Sequence, residues 1–354
     1  MKIVQLLPTL LYGDGVGNDT LAIDKVIREL GYTTKIYAEN VDGRIKGNLA
    51  KKVSQMPKLS DGDIVIYHLA IGTELNNKLR NIPGRKIIIY HNITPAHFFE
   101  KYNRTSYNLC KDGLLQMQMM KDIPEYCWAD SAYNKADLER AGYICPIDVV
   151  PIAIPFEDYD KEPDGAIIEM YEDDWVNIVF VGRIAPNKKQ EDVIKTFYYY
   201  KKYINQKSRL ILVGSYIGME RYYERLCKYV DELKLEDVIF TGHIKFNQIL
   251  AYYHIANVFL CMSEHEGFCI PLLEAMHFQV PIIAYAQTGV KETLGDAGIG
   301  LDIKDCKIAA EMIDLLMTRQ KLREQVIKRQ NIRVKEFGYN STKAKITESL
   351  KKML

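Results

Sequence analysis

The segment Ser263-Glu264-His265-Glu266-Gly267-Phe268-Cys269-Ile270-Pro271-Leu272-Leu273-Glu274-Ala275-Met276 concentrates residue types that could do chemistry. It follows an apolar run and opens a helical pattern. Backbone N–H groups at a helix start lack intrahelical acceptors and favour anions. Gly267 permits close backbone approach. Glu266 stands at the mouth of the loop, and Glu274 follows eight residues later, about two turns at 3.6 residues per turn. A carboxylate cannot help bind phosphate, but it accepts hydrogen bonds from hydroxyls. The pattern predicts phosphate on amides, with two carboxylates gripping sugar hydroxyls nearby. Taken alone, Glu266 could equally be a helix cap and Glu274 a solvated helix residue. A second segment, Gly182-Arg183-Ile184-Ala185-Pro186-Asn187-Lys188-Lys189, follows the apolar run NIVFV. Ligands bind at the carboxyl ends of parallel strands. Arg183 offers a fork for phosphate oxygens and Lys188 a point charge. A basic surface loop is the plainer reading of such a pair by itself.

The elements that must position these residues follow from the hydrophobic rhythm. KIVQLLP, TTKIYAE, DIVIYHLA, KIIIYHN, YCWADS and IDVVPIAI read as strands. So do VNIVFVG, RLILVGS, VIFTGH, VFLCMS and VPIIAY. Near-continuous apolar runs suit strands buried on both faces, and helical patterns between them mark parallel α/β units. After the first strand comes Gly13-Asp14-Gly15-Val16-Gly17, then a helix through Leu21, Ile23, Val26, Ile27 and Leu30, stopped by Gly31. The acidic, Pro-containing stretch from Pro155 to Gly165 reads as an interdomain linker. Ile346, Leu350, Met353 and Leu354 form an apolar stripe on the last helix.

Together, GR-x4-K and E-x7-E resemble glycosyltransferase family 4, of the GT-B fold. TGHIKFNQILAYYHIANVFLCMSEHEGF, VPIIAYAQTGVKETLGDAGIGL and YHNITP extend the resemblance over nearly the whole chain, towards members acting in bacterial polysaccharide assembly. It implies two Rossmann-like, doubly wound parallel-sheet domains facing each other across a cleft. Residues 1–155 would bind acceptor, with 336–354 returning to pack there. Residues 156–169 would link, and 170–335 would bind donor. Arg183 and Lys188 would neutralise the donor diphosphate, with Gly182 in the same loop. Glu274 would hold the ribose and Glu266 the donor sugar. The amides of Gly267, Phe268, Cys269 and Ile270 would cradle sugar and phosphate. Gly242, His243 and Ile244 would contact the base. The loop of Gly13, Gly15 and Gly17 would close over the diphosphate, and His91 would face the anomeric carbon. Two positions depart from the family, where Gly commonly follows the motif lysine (here Lys189) and often stands at Cys269.

The resemblance implies a retaining, metal-independent transfer of a hexosyl group from a UDP- or GDP-sugar to a saccharide or lipid-linked saccharide. A non-catalytic sugar-nucleotide-binding subunit and a nucleotide-sugar epimerase are the rival readings. A dehydrogenase fails on its fingerprint, because the first loop runs G-x-G-x-G and not G-x-G-x-x-G. Glu39 is all that recommends it. Asp61-Gly62-Asp63 has the spacing of a metal-binding DxD but the context of a turn. His68 reads as structural, and no metal is expected. Phe197-Tyr198-Tyr199-Tyr200 reads as a helix passing from buried to exposed.

A net charge of +1 gives no field for nucleic acid. No run of apolar residues reaches the ~18 a membrane span needs. The N-terminus reads as a strand and not as a signal peptide. Leu114, Leu115, Met117, Met119 and Met120, near Lys111 and Lys121, read as a buried helix face. Peripheral membrane docking is the alternative for that face. The seven cysteines, odd in number and without a CxxC pair, fit a reducing cytoplasm, either free or at the inner face of a membrane.

Overall fold

Continuous apolar runs become strands covered on both faces. The computed structural model describes residues 1–11, 13–45 and 49–354. Its strands in chain order begin with β1 (Ile3–Leu10), β2 (Thr34–Val41), β3 (Ala50–Lys52), β4 (Ile64–Leu69), β5 (Arg85–Tyr90), β6 (Tyr126–Ala129) and β7 (Ile147–Val149). They continue with β8 (Val176–Val181), β9 (Ser208–Val213), β10 (Val238–Gly242), β11 (Val258–Cys261), β12 (Ile282–Tyr285) and β13 (Ile299–Leu301). Every residue of β4 and of β11 is buried, as parallel strands between two helical layers require.

The first sheet has the order β3-β2-β1-β4-β5-β6-β7 and the second β10-β9-β8-β11-β12-β13. All ladders are parallel. Both sheets are doubly wound, with the order reversing beside β1 and beside β8. Crevices for ligands open at the carboxyl ends of strands flanking such a reversal. In the second sheet these are the ends of β8 and β11, from which the two charged segments leave.

Two compact units result. One comprises residues 1–97, 105–155 and 336–354, and the other residues 98–104 and 156–335. The division differs from the expected one in two places. Residues 98–104 group with the second unit, and 156–169 does not form a free linker. Tyr159 in that stretch is buried, and a helix spans Gly165–Met170. The C-terminal helix Tyr339–Lys351 belongs to the first unit. It buries Ile346 and Leu350, with Met353 beyond it, against Ile23, Val26, Ile27, Tyr126 and Trp128. Leu354, expected in this stripe, is exposed.

The helix Gly15–Glu29 starts where Asp14 accepts a hydrogen bond from the Gly17 amide at 2.6 Å. Phe197 and Tyr200 are buried, as the aromatic run predicts. The face read as buried on Arg104–Met119 is only half so. Met117 and, just past the helix, Met120 are buried, but Leu115 and Met119 are exposed. Cys110, Cys127, Cys261, Cys269 and Cys306 are buried thiols, and Cys145 and Cys227 partly so. No helix among the described residues is long and apolar enough to cross a membrane.

Candidate functional site

In the second unit, three loops converge beyond the ends of β8, β11 and β12. The Asn187 side chain donates to the His265 carbonyl at 3.0 Å, and the Glu264 amide donates to the Asn187 carbonyl at 2.9 Å. The Glu266 amide donates to Thr288 Oγ1 at 3.1 Å, and Gly289 N–H donates back to the Glu266 carbonyl at 2.9 Å. A Cβ at Gly289 would stand 2.2 Å from the Gly267 carbonyl oxygen, so the loops approach as closely as backbone allows.

This stitching brings Lys188 onto Glu266. The ammonium lies 2.5 Å from Oε1 and 2.6 Å from Oε2 of the carboxylate. Their side chains are 19% and 9% exposed. Burial works against the charge on Lys188, and its neighbours, Glu266 foremost, oppose it so that the lysine pKa is raised. The pair puts a fixed cation and a hydroxyl-accepting carboxylate side by side. Arg183, in the same loop as Lys188, is exposed. Its loop is positioned by Gly182 N–H on the Val213 carbonyl and Ile184 N–H on the Ser215 carbonyl, both at 2.9 Å.

The helix Ile270–His277 starts at Ile270, so Glu266 lies outside it. Glu274 is its fifth residue, one turn in and not two. It is not a solvated helix residue either. Oε1 accepts from the Tyr159 hydroxyl at 2.7 Å and Oε2 from the Tyr253 hydroxyl at 2.6 Å. Burial raises the Glu274 pKa, and the two hydroxyls oppose that rise. Sequence reading missed both tyrosines. Tyr253 resembles ordinary core on an amphipathic helix, and Tyr159 sits in the supposed linker. An aromatic pair, Phe156 and Tyr159, within an acidic stretch was the available signal. Phe268 and Cys269 lead into the helix, with the Phe268 carbonyl accepting from the Thr293 hydroxyl. Gly242 ends β10 with φ 67° and bridges to Gly214. His243, which follows, is exposed and Ile244 is half-buried.

In the first unit, the glycine loop leaves β1 and His91 follows β5. Gly13 has φ 80°, and Gly15 opens the helix. Gly17 leaves no room for a side chain without a shift, since a Cβ there would lie 2.2 Å from the Leu11 carbonyl oxygen. The His91 imidazole does not face solvent. Its side chain is 1% exposed and bonded to Asp130 Oδ2 at 3.0 Å and His68 Nδ1 at 2.9 Å. What His91 presents outward is backbone. Glu39 accepts from the Thr73 hydroxyl at 2.6 Å. The Asp63 carboxylate of the DxD triplet accepts from the amides of Ser60 and Lys2 at 2.9 and 2.7 Å, which hold its pKa down to about 2.

The family model described as "Glycosyl transferases group 1" matches residues 162–333. The chain is 25% identical over 177 residues to the "O-antigen chain mannosyltransferase B" of Escherichia coli, covering 49% of this chain and 46% of that protein. It is 29% identical over 154 residues to the "Capsular polysaccharide biosynthesis glycosyltransferase CapM" of Staphylococcus aureus, covering 42% and 38%. The chain thus spans less than half the length of these relatives. Among solved structures, Anabaena Alr3699/HepE in complex with UDP-glucose superposes with a TM-score of 0.76 at 16% identity, over 99% of this chain and 100% of that one. A sucrose-phosphate synthase from Thermosynechococcus elongatus gives 0.77 at 15% identity, over 100% and 99%. At such identities the likeness shows the fold, which is GT-B. Within the second unit, residues 162–333 are thus similar to the glycosyl transferases group 1.

Proposed function

We propose that the protein is a retaining, metal-independent glycosyltransferase. It moves a hexosyl group from a nucleoside diphosphate sugar to a hydroxyl of a saccharide or lipid-linked saccharide in bacterial surface-polysaccharide assembly. The observation that carries this reading is the buried Lys188–Glu266 pair beside a helix start, at the reversal of a doubly wound sheet. As the glycosidic bond to phosphate breaks, charge grows on the diphosphate oxygens. Lys188, Arg183 and the amides at 267–270 stabilise it, the part a divalent metal plays in other transferases. Glu266 accepts hydroxyls of the sugar, and Glu274 those of the ribose. The leaving phosphate takes the acceptor proton on the face it departs from, so the anomeric configuration is kept. Names among the relatives support a polysaccharide role, and the UDP-glucose complex of HepE supports the donor class. Exposed Leu109, Leu115 and Met119 beside Lys111 and Lys121 support docking at an anionic membrane face.

A thermal-shift panel of UDP- and GDP-sugars, with and without chelator, tests the donor. A ligand at 100 times its Kd should stabilise by about 2.7 kcal/mol, and Glu274→Ala should remove most of the shift. With the donor known, Arg183→Ala should lower turnover by roughly 100-fold, the scale of losing one charge-stabilising donor. Chelator-sensitive turnover, an inverted product, or near-normal turnover of Arg183→Ala would overturn the mechanism.

A further inference from the structure

Four buried side chains of the first unit form one hydrogen-bonded string: Gln5, His68, His91 and Asp130, exposed by 0%, 0%, 1% and 1%. Its outer bonds fix where the protons are. Gln5 Nε2 donates to the Thr20 carbonyl at 3.0 Å, so Gln5 turns its Oε1 to His68 Nε2, also at 3.0 Å. A carbonyl oxygen only accepts, hence His68 carries its proton on Nε2. At the other end, Asp130 Oδ2 stands 3.0 Å from His91 Nδ1. With Asp130 ionised, His91 carries its proton on Nδ1. Both inner nitrogens, His68 Nδ1 and His91 Nε2, would then point lone pairs at each other across 2.9 Å.

That contact is repulsive unless one more proton occupies it. The rings are nearly parallel, with an interplanar angle of 2° and centroids 5.2 Å apart. With nitrogens at 2.9 Å, this means the imidazoles meet edge to edge, as an N–H···N bond requires. The arrangement does not suit a metal ion, whose ligand lone pairs converge on a third point. Asp19 lies close enough that its carboxylate and the two rings fall within 4.8 Å of one another, and its Oδ1 accepts from the Ala153 amide at 3.0 Å. Asp130 Oδ1 is buried with no hydrogen-bond partner, so that carboxylate depends on a cationic neighbour.

We infer that His68 and His91 share one proton, and that His68 and Asp130 are positioning residues that lock the main chain of 91–95 through the His91 ring. Its importance for sugar transfer rests on the function proposed above; the shared proton itself does not. The groups facing the pair are Asp14 at the N-cap of the first helix, Asp19 within it, Gln5 from β1 and Asp130 after β6. Burial opposes charge on both rings, and His68 is pushed well below its ordinary pKa. On His91 the carboxylates of Asp130, Asp19 and Asp14 outweigh burial and raise it. Above that pKa the proton leaves, the inner bond is lost, and the 91–95 segment is released.

Long-range ¹H–¹⁵N spectra of the full chain labelled at histidine, recorded from about pH 5.5 to 9.5, test this. His91 should be an imidazolium at pH 7 with a ring-to-ring ¹⁵N–¹⁵N coupling to His68. Its midpoint should fall by tenfold or more in proton affinity in His68→Leu, and less in His68→Gln, which keeps an acceptor. A neutral His91 at pH 7, no coupling in the wild-type protein, an unmoved midpoint in both variants, or stoichiometric metal in the purified protein would each overturn the inference. The wild-type spectrum decides even if a variant fails to fold. A shared proton in a chain that transfers no sugar would refute only the proposed function.

Discussion

Tyr159→Phe isolates the hydroxyl that sequence reading missed. The ring packs among Phe246, His277 and Phe278, and phenylalanine keeps those contacts. What disappears is one of two donors on a buried carboxylate. A carboxylate offers about four acceptor positions, so the tyrosines leave one on each oxygen for a vicinal pair of hydroxyls. A hydrogen bond to a charged group contributes about 1.5–3 kcal/mol, against about 0.5–1.5 kcal/mol for a neutral one. Burial raises the Glu274 pKa and Tyr159 opposes the rise, so the variant raises it further. An acid whose folded pKa exceeds its unfolded value loses stability as pH climbs through the folded value. The deficit should therefore be smallest at the acid end of the range and grow as pH rises, towards about 1.5–3 kcal/mol once the carboxyl is ionised. Urea unfolding at pH 5, 6.5 and 8 measures it, and the nucleotide-sugar thermal shift at pH 8 should shrink alongside. A deficit under about 0.5 kcal/mol throughout, or one equal at pH 5 and pH 8, refutes the reasoning.

Glu266→Gln strands a largely buried ammonium and should cost up to about 3 kcal/mol, the low end for breaking a buried pair; Lys188→Met with Glu266→Gln should recover most of that stability without recovering donor binding. No recovery in the double variant would show that the two groups do not act as a pair. Gly17→Ala places a Cβ against the Leu11 carbonyl and Asp14 and should cost about 1–3 kcal/mol, the range for overpacking, read as a lowered Tm. An unchanged Tm would mean that the loop yields. Burial pushes the Asp19 carboxyl up from 3.8 to about 7, so the folded chain holds a proton the unfolded chain releases, and stability falls as pH rises between those values. Asp19→Asn keeps the acceptor for the Ala153 amide and should flatten that decline; an identical slope in urea unfolding across the window would remove Asp19 from it.

How much was legible depended on how local each signal was. β4, β5, β8 and β9 are runs of apolar residues that no helix of that length needs, so they read directly. β3 and β13 have three residues each, too few for any period to register. Glu266 and Glu274 could be found because both belong to one loop-helix unit. Tyr159 could not, because its bond to Glu274 spans 115 positions and the acids around it look solvated. Likewise His68 and Asp130 meet His91 from 23 and 39 positions away. Leu115 and Met119 carry the same apolar signal as buried Met117 and Met120, and only the packing tells the two faces apart.

Lys189 and Cys269 show why the two loops bearing Lys188 and Glu266 hold their shape. Both have left-handed backbone, with φ 53° and 75°, and both are N-caps without a side-chain capping bond. Left-handed geometry costs a residue with a Cβ roughly 1–2 kcal/mol, which explains why glycine suits both positions in the family that the sequence resembles. Such strain persists only where the surroundings over-determine it. Around Lys189 they are the ammonium contacts to Glu264 and Glu191 at 3.4 and 3.6 Å. Around Cys269 they are burial of the thiol and its hydrogen bond with the Cys261 thiol. Each strained residue lies within three positions of a member of the Lys188–Glu266 pair, and Asn187 ties the two loops together. The pair is thus no chance meeting of flexible side chains. It is fixed by two loops that each bear a backbone cost, and that rigidity is what a site needs if cations must already be in place when a diphosphate departs.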